Sequence, residues 1–287
     1  MILLTGATGF LGSKLKESLN LNPGNSCLVS SRLLEDYTNC DLTSFEETLS
    51  LSKKINPEII IHCAASVPKD SQDYEETKFN QTSFLINKNI ERCFKSKMIF
   101  TSSMTVYNNS VSYERAFNEK ETDLSKLNGY AKVKLESENL FRSSKNLDVI
   151  SLRLPGLFSE ARKHGLVHNI IKALIDNKKL EFKKRLPVWS TMHVEDAVRV
   201  IKYFTENFSK ISHKTINVGY PGKQSIPRMA KLISKIFDKK FYNKDLDIRE
   251  FEMDLEILNK YFNFEEKILE KRISNLVEFL KENIDER

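Results

Sequence analysis

Tyr130 and Lys134 stand four residues apart in "YAKVK", and Ser102 and Ser103 close the apolar run "KMIFTSS". On a helix that spacing brings phenol and ammonium to one face. A lysine charge beside a phenol lowers the phenol pKa. The tyrosine then becomes a workable acid or base for a carbonyl and its alcohol, and a serine hydroxyl at a strand end can polarise the same oxygen. A Tyr-x-x-x-Lys spacing is common by chance, so its meaning depends on what precedes it.

What precedes it is "TGATGFLG", with Gly6, Gly9 and Gly12 three apart, just after a hydrophobic strand and just before a helix. Glycines allow a tight turn, close backbone approach to a pyrophosphate and close packing of helix on strand, while the helix amino terminus favours negative charge. Gly6, Thr8, Gly9, Phe10, Leu11 and Gly12 are therefore the expected cradle of a dinucleotide. An acid at the end of the second strand would hold both ribose hydroxyls and repel a 2′-phosphate. Here "CLVSSRLLED" offers Ser30, Ser31 and Arg32 instead. Hydroxyls and a guanidinium suit a 2′-phosphate, so Ser31 and Arg32 favour NADP over NAD. Glu35 or Asp36 in the following loop keeps NAD open.

The elements that must position these groups follow from the hydrophobic pattern. Apolar runs "MILLTG", "CLVSS", "IIIHCAA", "KMIFTSS", "VISLRLP" and "KTINVGY" alternate with helical spacings such as "FNQTSFLINKNIERCFK" and "YAKVKLESENLFRSS". That alternation predicts a doubly wound parallel α/β sheet. Residues 1–155 form the expected dinucleotide-binding domain, with 191–219 returning to its sheet. Residues 156–190 and 220–287 form a smaller, mixed substrate lobe. The chain of 287 residues suits such a two-lobed unit.

Composition narrows the class. With 40% hydrophobic and 29% charged residues the chain reads as an ordinary soluble protein, and its longest apolar runs are too short to span a bilayer. The net charge of +6 is spread over the chain, which fits acidic small molecules at least as well as nucleic acid. Cys27, Cys40, Cys63 and Cys93 show no Cys-x-x-Cys spacing and read as reduced thiols of a cytoplasmic protein. Met1 leads straight into "ILL" without a charged region, so no signal peptide is expected. His164, His168, His193 and His213 lack ligand spacing, and no metal is expected.

Together these motifs resemble the extended short-chain dehydrogenase/reductases of the NAD(P)-dependent epimerase/dehydratase family, over nearly the whole chain. "CDLTS" is similar to the family's Asp-Leu pair at the adenine, giving Asp41 and Leu42. "HCAASVP" resembles its His-x-Ala-Ala strand end, giving His62, Ala64 and Ala65 with Cys63 between them. Asn80 falls where the family has a structural asparagine behind the active site, and Leu154 in "LRLP" joins the expected cofactor contacts. Ser103, Tyr130 and Lys134 match the catalytic triad. "MHVEDAV" and "INVG" resemble the family's later segments. The resemblance implies hydride transfer at a carbinol carbon of a nucleotide sugar, in a protein for which a homodimer is open.

Family members that dehydrate sugar nucleotides carry an Asp-Glu pair just after the catalytic Ser or Thr. Met104 and Thr105 stand there instead, and neither carries a proton at neutral pH, which disfavours a 4,6-dehydratase. A ketoreductase and an epimerase need only the triad. The serines and Arg32 tip the expectation toward reduction of a 4-keto sugar nucleotide, as does a weaker likeness to the dTDP-4-dehydrorhamnose reductase branch. The alternative is a 4-epimerase with tightly bound NAD. A non-catalytic NAD(P)-binding regulator is a further class, but such a protein is expected to have lost Tyr130 or Lys134. Where sugar-nucleotide members often carry an asparagine and an arginine, this chain has Gly156 and Trp189. Lys183, Lys184 and Arg185 could supply the charge, and Trp189 could stack on a base or simply pack.

Overall fold

The computed structural model describes residues 1–66, 77–107, 116–163, 165–177, 189–239 and 250–282. His164, Lys183, Lys184 and Arg185 lie outside them. All six apolar runs become strands of one parallel sheet: β1 (Ile2–Thr5), β2 (Ser26–Ser30), β4 (Ile59–His62), β5 (Ser96–Ser103), β6 (Leu147–Leu154) and β9 (Thr215–Asn217). A two-residue strand β3 (Thr38–Asn39) extends the edge, and the order is β3-β2-β1-β4-β5-β6-β9. The chain builds outward from β1 in one direction, then restarts at β4 in the other. The reversal opens a crevice at the carboxyl ends of β1 and β4, where ligands of such sheets bind.

Successive side chains of a strand point to opposite faces, and two apolar layers result. Leu4, Ile61, Ile99 and Ile150 belong to one layer; Leu3, Ile60, Met98 and Val149 belong to the other. Burial on both faces explains why the strands read as continuous apolar runs rather than alternating ones. Helices α1 (Phe10–Ser18), α2 (Phe45–Lys54), α3 (Thr77–Cys93) and α4 (Gly129–Arg142) cross between the strands. Ser44 starts α2 by accepting the Glu47 N–H, the Ser-x-x-Glu signature of a helix start.

Beyond β6, short strands β7 (Gly156–Phe158) and β8 (Thr191–His193) pair in parallel. Between them lies α5 (Leu166–Ile175), and α6 (Val194–Glu206) leads back to β9. A third apolar layer joins α5 to α7 (Ile226–Phe237) and α9 (Ile268–Glu282), through Ile170, Ile171, Met229, Ile233, Ile273 and Leu276. The stretch expected to form one lobe over 220–287 divides by packing. Phe251, Met253, Leu255 and Leu258, which lead into α8 (Glu256–Asn259), join the main-sheet core. Arg272 of α9 forks onto Asp196 of α6 with two contacts of 2.9 Å, and Tyr220 donates to the same carboxylate. No helix among the described residues is long and apolar enough to cross a membrane.

Candidate active site

At the end of β1, Gly6 adopts φ +68°, and a Cβ there would lie 2.8 Å from the Ala64 nitrogen. A Cβ on Gly12 would stand 2.1 Å from the Gly6 carbonyl oxygen, so helix and turn touch only because both residues are glycine. Gly9 begins α1 in extended conformation without a side-chain cap. Glycine turn and helix start thus form a cradle in which backbone comes close to whatever is bound and the helix end favours negative charge. The residues present fit a dinucleotide pyrophosphate.

A cleft of about 1010 Å³ runs from this cradle to the second lobe. Every residue expected to touch the cofactor lines it except Arg32 and Asn80. Asn80 is buried on α3, off the cleft wall. Arg32 is exposed, and its backbone N–H binds Ser30 Oγ at 3.0 Å. Ser30 and Ser31 do line the cleft, as do Asp41 and Leu42. Asp41 Oδ1 accepts both the backbone N–H and the hydroxyl of Thr43, which fixes the carboxylate at the rim.

At the catalytic end, β5 presents Ser103 while α4 presents Tyr130 and Lys134. The two adjacent serines have separate tasks. Ser102 donates its hydroxyl to the buried Glu138 carboxylate at 2.5 Å. Ser103 Oγ accepts from the Thr105 N–H at 3.2 Å and from the Thr105 hydroxyl at 3.0 Å, which leaves its own hydrogen able to donate into the cleft that it lines. Lys134 Nζ donates to the Thr101 carbonyl at 2.7 Å and lies 5.6 Å from the Tyr130 ring centre. Burial pushes the Lys134 ammonium down to about 8.

Two buried networks hold these groups from behind. Glu138, one turn beyond Lys134, accepts Arg153 Nε at 3.0 Å and Nη2 at 2.7 Å. Arg153 also donates to the Tyr107 hydroxyl, which in turn donates to Asn217. The network ties β5, α4, β6 and β9 into one register, and burial holds the Tyr107 phenol up at about 12. His62 lies behind the other wall, with Thr5 and Asn87 each 2.7 Å from a ring nitrogen. Burial lowers it to about 4, so it is neutral at pH 7. The network satisfies one tautomer: Nε2–H donates to Asn87 Oδ1, and Nδ1 accepts the Thr5 hydroxyl. His62 thereby braces the strand end at Ala64, whose N–H donates to Thr5.

Several residues of the site escape reading by motif. Thr105, Arg162 and Lys163 line the cleft, and Trp189 stands in its wall while packing on the third apolar layer. Thr105 follows the strand serines by a short 3-10 turn, Met104–Tyr107, which is too irregular for a periodic signal. Arg162 lies in a basic stretch whose sequence does not mark which cation turns inward.

Residues 2–219 match the NAD dependent epimerase/dehydratase family. Over 265 residues the chain is 23% identical to an ADP-L-glycero-D-manno-heptose-6-epimerase from Brachyspira hyodysenteriae, spanning 83% of this chain and 81% of the relative. Its structure is similar to that of UDP-glucose 4-epimerase from Thermotoga maritima with UDP-glucose, at TM-score 0.73 and 19% identity over 99% of both chains. It is also similar to a dTDP-glucose 4,6-dehydratase from Streptomyces venezuelae with NAD bound, at TM-score 0.75 and 16% identity over 98% and 97% of the two chains.

Proposed function

Because this chain belongs to the NAD dependent epimerase/dehydratase family, we propose that it interconverts two epimers of a nucleotide sugar while holding NAD throughout. The observation that sets this reading apart from a dehydratase is the supply of proton-transfer groups. Tyr130 and Ser103 serve one oxygen at the catalytic end, where Met104 and Thr105 line the wall in place of a second acid and base. Epimerisation needs one reversible proton couple; elimination of water needs two.

Tyr130 takes the proton from the sugar hydroxyl, and Ser103 donates a hydrogen bond to the same oxygen as it becomes a carbonyl. Lys134 stabilises the phenolate by its charge. NAD, when bound, accepts the hydride from the carbinol carbon and returns it. For the opposite epimer to form, the cleft would have to let the sugar present its other face, and Tyr130 would then return the proton to the same oxygen. The cleft must therefore hold the nucleotide firmly while the sugar ring moves.

Arg32 is exposed and outside the cleft lining, so no contact among the described residues holds its guanidinium toward a 2′-phosphate. NAD is also named with the Streptomyces venezuelae dehydratase, and two of the relatives above are epimerases. The reductase reading keeps one observation in its favour, since Ser30 and Ser31 still face the cleft where an NAD-selective acid would stand. The deciding experiment is to extract and identify the nucleotide from purified protein, then incubate the protein with UDP-glucose, dTDP-glucose and ADP-heptose without added cofactor. An epimer seen by NMR, with NAD recovered from the protein, supports the proposal. No epimer there, but reduction of a 4-keto sugar nucleotide in a parallel incubation with added NADPH and stoichiometric loss of that NADPH, replaces it with the reductase.

A further inference from the structure

Two anionic groups meet in a cleft of this kind, the diphosphate of the dinucleotide and that of the sugar nucleotide. At the two positions where charge or amide donors for the second were expected, the chain has Gly156 and Trp189. Gly156 instead gives its N–H to the Ser190 carbonyl at 3.1 Å, pairing β7 with the strand beside it. Among the described residues lining the cleft, the cationic side chains are Lys134, Arg162 and Lys163, and the acidic one is Asp41. Lys134 is held at the catalytic end by Thr101.

Arg162 is fixed across the seam between the lobes. Its Nη1 donates to the Leu157 carbonyl of β7 at 2.8 Å, and its guanidinium carbon lies 5.1 Å from the centre of the Phe10 ring. Phe10 is the first residue of α1, directly at the glycine cradle. Stacking on an aromatic face orients a guanidinium plane without using an N–H donor, and the planar fork matches phosphate oxygens. A second observation lies on the same wall. Ser159 lines the cleft with its hydroxyl buried and without a hydrogen-bond partner among the described residues. Buried hydroxyls are ordinarily paired, so this one is short of a partner in the same loop as Arg162.

We infer that Arg162 grips a diphosphate at the seam between the glycine cradle and the second lobe, in the role that residues 156 and 189 do not fill. The inference deepens the nucleotide-sugar reading and rests on it. Its consequence is that the same loop, residues 159–163, links retention of a ligand to the position of the second lobe.

The test compares wild type with Arg162→Gln and Arg162→Lys. In one arm, NAD retention is followed through dialysis. In the other, UDP, UMP and ADP are titrated into NAD-loaded protein by calorimetry. Arg162→Gln is expected to weaken one or both diphosphate ligands about tenfold or more, with partial recovery in Arg162→Lys. The preference for UDP or ADP over UMP should collapse if the substrate diphosphate is gripped; faster loss of NAD alone assigns the grip to the dinucleotide. Unchanged NAD retention together with an unchanged preference overturns the inference. If Arg162→Gln does not fold, Arg162→Lys carries the test, because it keeps the charge and loses the fork. Failure of the underlying reading is separate: wild-type protein would bind none of these ligands, or would bind them and yet form no epimer from UDP-glucose, dTDP-glucose or ADP-heptose.

Discussion

Lys134→Met should make the cofactor-free protein more stable and inactive. The Lys134 ammonium is nearly fully buried, and its pKa falls to about 8 from 10.5. By proton linkage, keeping it charged in the folded chain at neutral pH costs about 3 kcal/mol. Methionine has similar length and no charge. It forfeits the bond to the Thr101 carbonyl, and an orphaned carbonyl costs about 1 to 2 kcal/mol. The net gain of about 1 to 2 kcal/mol should raise Tm by about 2 to 3 °C in a chain of this size.

The pH dependence separates this cause from general repacking. Below about pH 8, folded and unfolded wild type both carry the charge and the full penalty applies. From about pH 8 to 10.5 the folded state gives up its proton while the unfolded state keeps it, so wild type gains stability and the gap narrows. Thermal melts by circular dichroism from pH 6 to pH 10, with epimerisation assayed in parallel, measure both halves. A variant that melts below wild type at pH 7, or a Tm gap that stays constant to pH 10, would refute the reasoning.

Tyr130→Phe should lower kcat by about two to four orders of magnitude while NAD remains bound, because the ring keeps its place and only the proton couple is lost; near-normal turnover would remove Tyr130 from the chemistry. Gly12→Ala puts a methyl 2.1 Å from the Gly6 carbonyl oxygen, so the purified variant should carry no nucleotide and melt lower. Full nucleotide occupancy in that variant would contradict the cradle. Arg153→Met leaves Glu138 buried without its main partner and should cost about 3 to 5 kcal/mol in denaturant titration, with Arg153→Met/Glu138→Leu recovering much of it. Equal stability of the single and double variants would show that the ion pair does not hold the register.

Six apolar runs were enough to read the parallel sheet from the sequence by itself, and three spaced glycines and a Tyr-x-x-x-Lys pair marked residues that line one cleft. Each of those signals lies within a single short stretch of five to seven residues, and each follows from local geometry: backbone room at glycine, side-chain period on a helix, apolar runs in a strand buried on both faces. What tertiary structure alone decided depends on partners distant in the chain. Ser102 and Ser103 are identical by type and adjacent, and only Glu138 reaching in from α4 sets them apart, by taking the Ser102 hydroxyl. Arg32 follows the right strand for a 2′-phosphate, yet the loop leaves it off the cleft wall. Phe251 to Leu258 return to the main sheet although they lie between two helices of the second lobe. Arg162, in an undistinguished basic stretch, meets Phe10 across the fold. Local sequence specifies which groups are available; only the packing of distant segments sets which of them share a cleft.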